Sequence, residues 1–198
     1  MFHRKPNRLA GYNYSRDNLY FITSCVKDRV CCFGKIETVG TGRDLSLQSE
    51  SKMILNQYGR IANDQWYWLA QQYPYVVLHE FVVMPNHIHG IIEINRENIL
   101  APHGDTHIEG TGRDVGTGRD LSLQRQPSSN PEIKIKSLSE LMGAYKTTTS
   151  KQIHLAGFHE FEWQRSFHDR IIRDEESYRR ISEYIINNPS AWQEDEFY

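Results

Sequence analysis

Cysteine is scarce in this 198-residue chain: Cys25, Cys31 and Cys32 are the only three, with no C-x-x-C spacing. That pattern excludes a cysteine zinc finger and a disulfide framework, and it fits a reducing compartment. Long apolar runs are absent too, so no membrane span is expected, and the basic start from Met1 to Arg8 has no apolar stretch behind it. A cytoplasmic protein follows as the expectation. Positive charge is not in excess, the formal net charge being −2, which argues against a general nucleic-acid coat while leaving room for a site-specific enzyme with local basic patches. What the chain does have is aromatic bulk. Aromatic residues make up 12%, with four Trp and eleven Tyr, enough for a packed core despite a negative mean hydropathy. The length suits one domain, residues 1–198, carrying insertions, rather than two.

Periodicity gives the layout. Asn18 to Val26 is dense in aromatic and β-branched residues and reads as a buried strand. Three- to four-residue spacing predicts a helix from about Ser51 to Tyr73, capped by Ser49 or Ser51 and closed by Pro74. Val76 to Met84 is a second strand, and Pro85-Asn86 turns it into a third that begins at His87. Leu138, Leu141, Met142, Tyr145 and Thr149 mark a helix from Ser137 to His154, with Ser137 and Glu140 spaced as a capping box. Phe158 to Arg173 is expected to hold the fourth strand. Asp174 to Asn188 reads as a last helix whose acidic first turn suits the helix dipole. The order predicts an α+β fold: a ferredoxin-like, RRM-like antiparallel sheet with helices on one face and a C-terminal helix.

Two features carry chemistry. His87-Ile88-His89 places two imidazoles on one face of a strand, where they can share a metal ion while Ile88 points into the core. Tyr184 and Asn188 lie one helical turn apart on the last helix, so a phenol and an amide oxygen share a helix face. A phenol with a pKa of about 10 is a weak nucleophile at neutral pH and needs a cation to help it attack phosphorus. Two imidazoles and an amide suit Mg2+ or Mn2+ for phosphoryl transfer, with Asn188 as a third ligand. Tyr145 is the rival nucleophile, Tyr178 falls on another helix face, and the remaining histidines read as structural or exposed. Arg4, Lys5 and Arg8 form a basic arm for a DNA backbone. Lys134, Lys136, Lys146 and Lys151 are candidates for a phosphate track, and Trp163, Phe167 or His168 for base stacking.

One repeat fits none of this. Val39 to Gln48, VGTGRDLSLQ, recurs unchanged as Val115 to Gln124, preceded by a partial copy at Gly110 to Asp114. These stretches read as low-complexity inserts at about 38–50 and 98–131. The codons GTA GGG ACA GGT AGG GAC CTG TCC CTA CAA would write the peptide as an inverted repeat. A translated palindromic DNA element is one account of the duplication, and ordinary low-complexity expansion is the other.

Several segments together resemble the single-tyrosine HUH transposases, and most closely the REP-associated tyrosine transposases. These are Tyr20-Phe21-Ile22-Thr23, Val83 to His89, Trp163-Gln164-Arg165, Arg170 to Arg173 and Tyr178 to Pro189. The resemblance implies a metal-dependent single-strand DNA endonuclease and strand transferase acting on palindromic hairpin DNA through a 5′-phosphotyrosine. Tyr184 would be the nucleophile, and His87, His89 and Asn188 the metal ligands. Insertion-sequence relatives often have glutamine where this chain has Asn188. Monomer and dimer are both compatible with the resemblance. A domesticated hairpin-binding protein that no longer cuts is the competing expectation.

Overall fold

Asn18–Cys25 forms strand β1 near the centre of a four-stranded sheet in the computed structural model, which describes residues 11–39, 50–100 and 133–194. Its neighbours are β5 (His87–Ile94) on one side and β6 (His168–Ile172) on the other, and β4 (Val76–Val83) pairs with the far edge of β5. All three pairings are antiparallel. The order β4-β5-β1-β6 is the α+β, ferredoxin-like arrangement expected from the sequence, since the first strand of the pattern sits between the third and the fourth.

Alternation sorts the strands' side chains onto two faces. Tyr20, Ile22, Ile88, Ile92 and Ile94 point to one face and pack with Trp66 and Leu69 of helix α1 (Gln57–Gln72) and Leu141, Met142 and Tyr145 of helix α3 (Leu138–Leu155). Helix α4 (Glu175–Asn187) leaves the β6 edge, crosses the sheet and packs on β5 and β4 from the opposite side. There a smaller cluster, Ile91, Ile172, Ile181 and Ile185, holds it down. Gly90 is required by this layering. A Cβ at that position would stand 2.5 Å from the Trp66 ring, which stacks on Phe81 at 4.3 Å between centroids.

Sequence signals set several boundaries as expected. Ser137 and Glu140 form a reciprocal capping box at the start of α3. Asp174 caps α4 by accepting from the Ser177 N–H at 2.7 Å. The helix expected from Ser51 begins only at Gln57, because Asn56 caps it by accepting from the Tyr58 and Gly59 N–H groups at 2.9 and 3.0 Å. Neither Ser49 nor Ser51 is the cap. The preceding residues form β3 (Glu50–Leu55), paired with β2 (Gly34–Val39) in a two-stranded ribbon that periodicity did not predict. The fourth core strand occupies only the end of the stretch assigned to it. Among the described residues a single helical turn, α2 (Glu97–Leu100), follows β5.

The inserts at about 38–50 and 98–131 lie largely outside the described residues, as does the basic arm of Arg4, Lys5 and Arg8. Among the described residues, no helix is long and apolar enough to cross a membrane.

Candidate active site

The Met84-Pro85-Asn86 turn is fixed before the histidines begin. The Pro85 carbonyl accepts from the Cys32 and Phe33 N–H groups at 2.9 and 3.0 Å, and the Asn86 carbonyl accepts from Val26 N–H at 2.8 Å. The buried Asn86 side chain faces two ways: its Nδ2 donates to the Arg29 carbonyl at 3.3 Å, and its Oδ1 accepts from His87 Nδ1 at 2.7 Å. Because an amide oxygen only accepts, Nδ1 of His87 carries the proton, and a neutral ring then presents a bare Nε2. On the neighbouring strand Thr23, in register with His89, places its Oγ1 2.8 Å from His89 Nδ1. Thus each imidazole is held through Nδ1 and turns Nε2 the other way, as metal-binding histidines are commonly oriented.

The two Nε2 atoms are 3.0 Å apart, and both side chains are buried. Two nitrogens bound at about 2.1 Å and at right angles on one ion stand about 3.0 Å from each other. The spacing fits a shared cation, and a proton held between the nitrogens fits it as well. Among the described residues no cluster of three or more His, Cys, Asp or Glu side chains is placed to hold a metal, so a third protein ligand would have to be of another kind. Asn188 supplies the candidate amide: it is buried at the C-cap of α4, one turn beyond Tyr184. Asn187 is the last helical residue, and its carbonyl accepts from Ser190 and Ala191 N–H.

Tyr184 closes the arrangement from above. Its hydroxyl lies 3.2 Å from His89 Nε2. Phe21 holds both rings, stacking on His89 at 5.5 Å and meeting Tyr184 edge-on at 6.1 Å. Tyr184 is 44% exposed, so the residue is open to a large substrate. Tyr145 is different: it is fully buried on the other face of the sheet, donates to the Ala62 carbonyl at 3.0 Å, and burial pushes its pKa far up.

The sequence assigned no role at the site to several residues here. Thr23 and Asn86 become orienting groups only through strand pairing and the turn. Trp192, beyond the Pro189 stop, lies 5.9 Å from His87 between ring centroids. It also lines a groove of about 630 Å3 with Pro85, Lys35, Thr38, Ser51 and Ser190, between the β2–β3 ribbon and the segment after α4. His79 has a structural role. A bulge between Leu78 and Phe81 puts His79 and Glu80 together on the α4 face. Tyr178 donates to Glu80 at 3.1 Å and lies 3.1 Å from His79 Nδ1, while His79 Nε2 is 2.9 Å from Glu93. This network ties the first turns of α4 to the sheet.

The candidate DNA-contacting lysines separate. Lys146 donates to the Gln164 and Arg165 carbonyls, and burial holds its ammonium down to about 8. With Lys151, His154, His159 and Arg165 it lines a groove of about 730 Å3. Lys136 lies instead over the Tyr73 ring at 5.9 Å. Trp163 and Phe167 are buried in the main core, which removes them as base-stacking platforms.

A protein of Haemophilus influenzae, uncharacterized, is 34% identical over 197 residues, spanning 99% of this chain and 93% of that protein. The chain belongs to that protein's family. No protein-family model matches it. The structure of a REP-associated tyrosine transposase bound to a REP hairpin covers 93% of this chain and 73% of that one, with a TM-score of 0.50 and 16% identity. A candidate transposase of Deinococcus radiodurans covers 91% and 95%, with a TM-score of 0.42 and 14% identity. The chain has the fold of the REP-associated tyrosine transposase in that hairpin complex.

Proposed function

We propose that this family member is a metal-dependent single-strand DNA endonuclease and strand transferase acting on hairpin DNA in the cytoplasm, with Tyr184 as nucleophile. The observation that carries this reading is the contact between the Tyr184 hydroxyl and His89 Nε2, 3.2 Å apart, beside a second imidazole on the same strand. His87, His89 and Asn188 would hold Mg2+ or Mn2+, which when bound neutralises charge on a phosphate oxygen and aligns the phosphorus. The chain's own groups do the rest. Phe21 and His89 fix the phenol ring, limiting the arrangements it must lose before attack. The phenolic oxygen bonds to phosphorus as the P–O3′ bond breaks. One proton leaves the phenol and one is gained by the departing 3′ oxygen, giving a 5′-phosphotyrosine and a 3′-hydroxyl. The ester retains the bond energy, so the reverse attack by a 3′-hydroxyl joins strands without ATP.

Cations within reach support a DNA partner. Lys27, Arg29 and Arg165 line a groove beside the turn that positions Asn86, together with Asp28 and with Glu162, which pairs with Lys27, and Arg165 also borders the Lys146 groove. These basic side chains, and Arg4, Lys5 and Arg8 of the N-terminal sequence, are the candidates for contacts with the phosphate backbone.

The test uses the full chain, a hairpin oligonucleotide labelled at its 3′ end, and Mg2+ or Mn2+. Wild-type protein is expected to leave a labelled covalent adduct on a denaturing gel. Tyr184→Phe should abolish the adduct while still shifting the hairpin on a native gel. An adduct that survives in Tyr184→Phe rejects the nucleophile. Binding without any cleavage by the wild type would make this a hairpin-binding protein instead.

A further inference from the structure

The two perfect copies of VGTGRDLSLQ occupy settings that share nothing. The first begins at Val39, the last residue of β2, and in sequence falls before β3, Val39 and Glu50 being the outermost paired residues of the ribbon. The second lies between α2 and α3, a connection from helix to helix. A turn between paired strands and a link between helices make different demands on sequence. Ten identical residues at both places answer neither demand. Identity of this kind is explained by copying of nucleic acid, with the peptide as its by-product.

The genetic code adds an independent constraint. Val-Gly-Thr-Gly is written GTN GGN ACN GGN. For the same reading frame to contain the reverse complement of its first codons, the downstream residues must come from a short menu. First comes a residue whose codon ends in C, then Leu, Pro, Gln or Arg, then Phe, Ser, Tyr or Cys, then Leu, Pro, Gln or Arg again. Last comes a residue whose codon begins with C. Asp120-Leu121-Ser122-Leu123-Gln124 satisfies every position, as does Asp44-Leu45-Ser46-Leu47-Gln48. One permitted choice of codons gives the arms GTAGGGACAGG and CCTGTCCCTAC, separated by a short loop. Low-complexity expansion has no reason to meet that menu.

We infer that the two peptides are translated copies of one palindromic DNA element, and that this element, folded as a single-stranded hairpin, is the DNA this protein binds and cuts. The second half rests on the reading of the site given above. Placing a DNA segment at two positions in one gene requires strands to be cut and rejoined, which is the reaction that a tyrosine beside a cation site would perform. The gene thereby carries its own target inside its coding sequence.

Sequencing the gene tests the first half. The two copies are expected to share their codons, including the synonymous positions, with arms that pair throughout. Synonymous positions that break the pairing would overturn it. For the second half, the full chain is titrated at one fixed salt concentration, by fluorescence anisotropy, with three oligonucleotides. These are the element's coding strand, its complementary strand, and a hairpin of the same loop and composition with a permuted stem. One element strand is expected to bind roughly a hundredfold more tightly than the permuted hairpin. Equal affinity for all three, with the permuted hairpin still cut, overturns the inference and leaves the proposed chemistry standing. Failure to form an adduct with any hairpin at any Mg2+ or Mn2+ concentration overturns that chemistry itself, and the proposed target with it.

Discussion

The two faces of the central sheet differ in what they bury. Under α1 and α3, strands β1 and β5 contribute Tyr20, Ile22, Ile88, Ile92 and Ile94 to a continuous aromatic and aliphatic core. Under α4 the buried apolar set shrinks to Ile91, Ile172, Ile181 and Ile185, and Thr23, His87 and His89 are buried on the same side. A single strand serves both purposes by alternation: Ile88 faces the core and its two neighbours face the site. Stability and chemistry are therefore separable residue by residue along β5, and substitutions on the two faces should fail in different ways.

The widest divergence is expected between adjacent residues. Ile88→Ala should cost about 2–5 kcal/mol in urea unfolding, through lost burial and a cavity that the packed helices cannot fill. His87→Gln keeps the volume and should change stability by less than about 1 kcal/mol while abolishing metal-dependent adduct formation. Equal destabilisation by the two would show that the faces are not independent. Gly90→Ala comes next, at about 1–3 kcal/mol, because its Cβ would meet the Trp66 ring at 2.5 Å. In a Trp66→Leu background the same change should cost clearly less, as a double-mutant cycle would report.

Tyr178→Phe removes the hydroxyl linking α4 to Glu80 and His79. About 1 kcal/mol of stability should go with it. The sharper readout is a lower rate of adduct formation at unchanged hairpin affinity, since the helix that carries Tyr184 is loosened. A parallel loss of affinity would point to a direct DNA contact. The smallest effect concerns pH. Burial lowers the Lys146 ammonium to about 8, so between that value and the ordinary lysine range the unfolded chain binds the extra proton. This group's contribution to stability accordingly rises with pH across the window, and its burial cost is felt in full below it. Lys146→Met should flatten the rise in melting temperature between about pH 8 and about pH 10. An unaltered slope would refute the assignment.

The sequence exposed what is written in local pattern. The Ser137–Glu140 box, the Asp174 cap and the period-two alternation around His87-Ile88-His89 each depend on neighbours within one turn or strand, and the structure has all three. Elements that depend on distant partners were hidden. Ile54, Tyr58 and Ile61 continue a helical spacing across Asn56, so β3 looked like helix, and its partner β2 lies across the first insert. Thr23 gains its place beside His89 only through the register of β1 on β5. Similarly, the bulge that aims both His79 and Glu80 at α4 breaks the alternation by one residue, which no local period announces.

The path of α4 from the β6 edge back over β5 means that phenol and imidazole pair belong to one polypeptide. No second molecule has to lend a helix to complete the constellation. Turnover per molecule should then withstand dilution. Mixing Tyr184→Phe protein with His87→Gln protein should give no complementation, because neither partner can donate the part the other has lost.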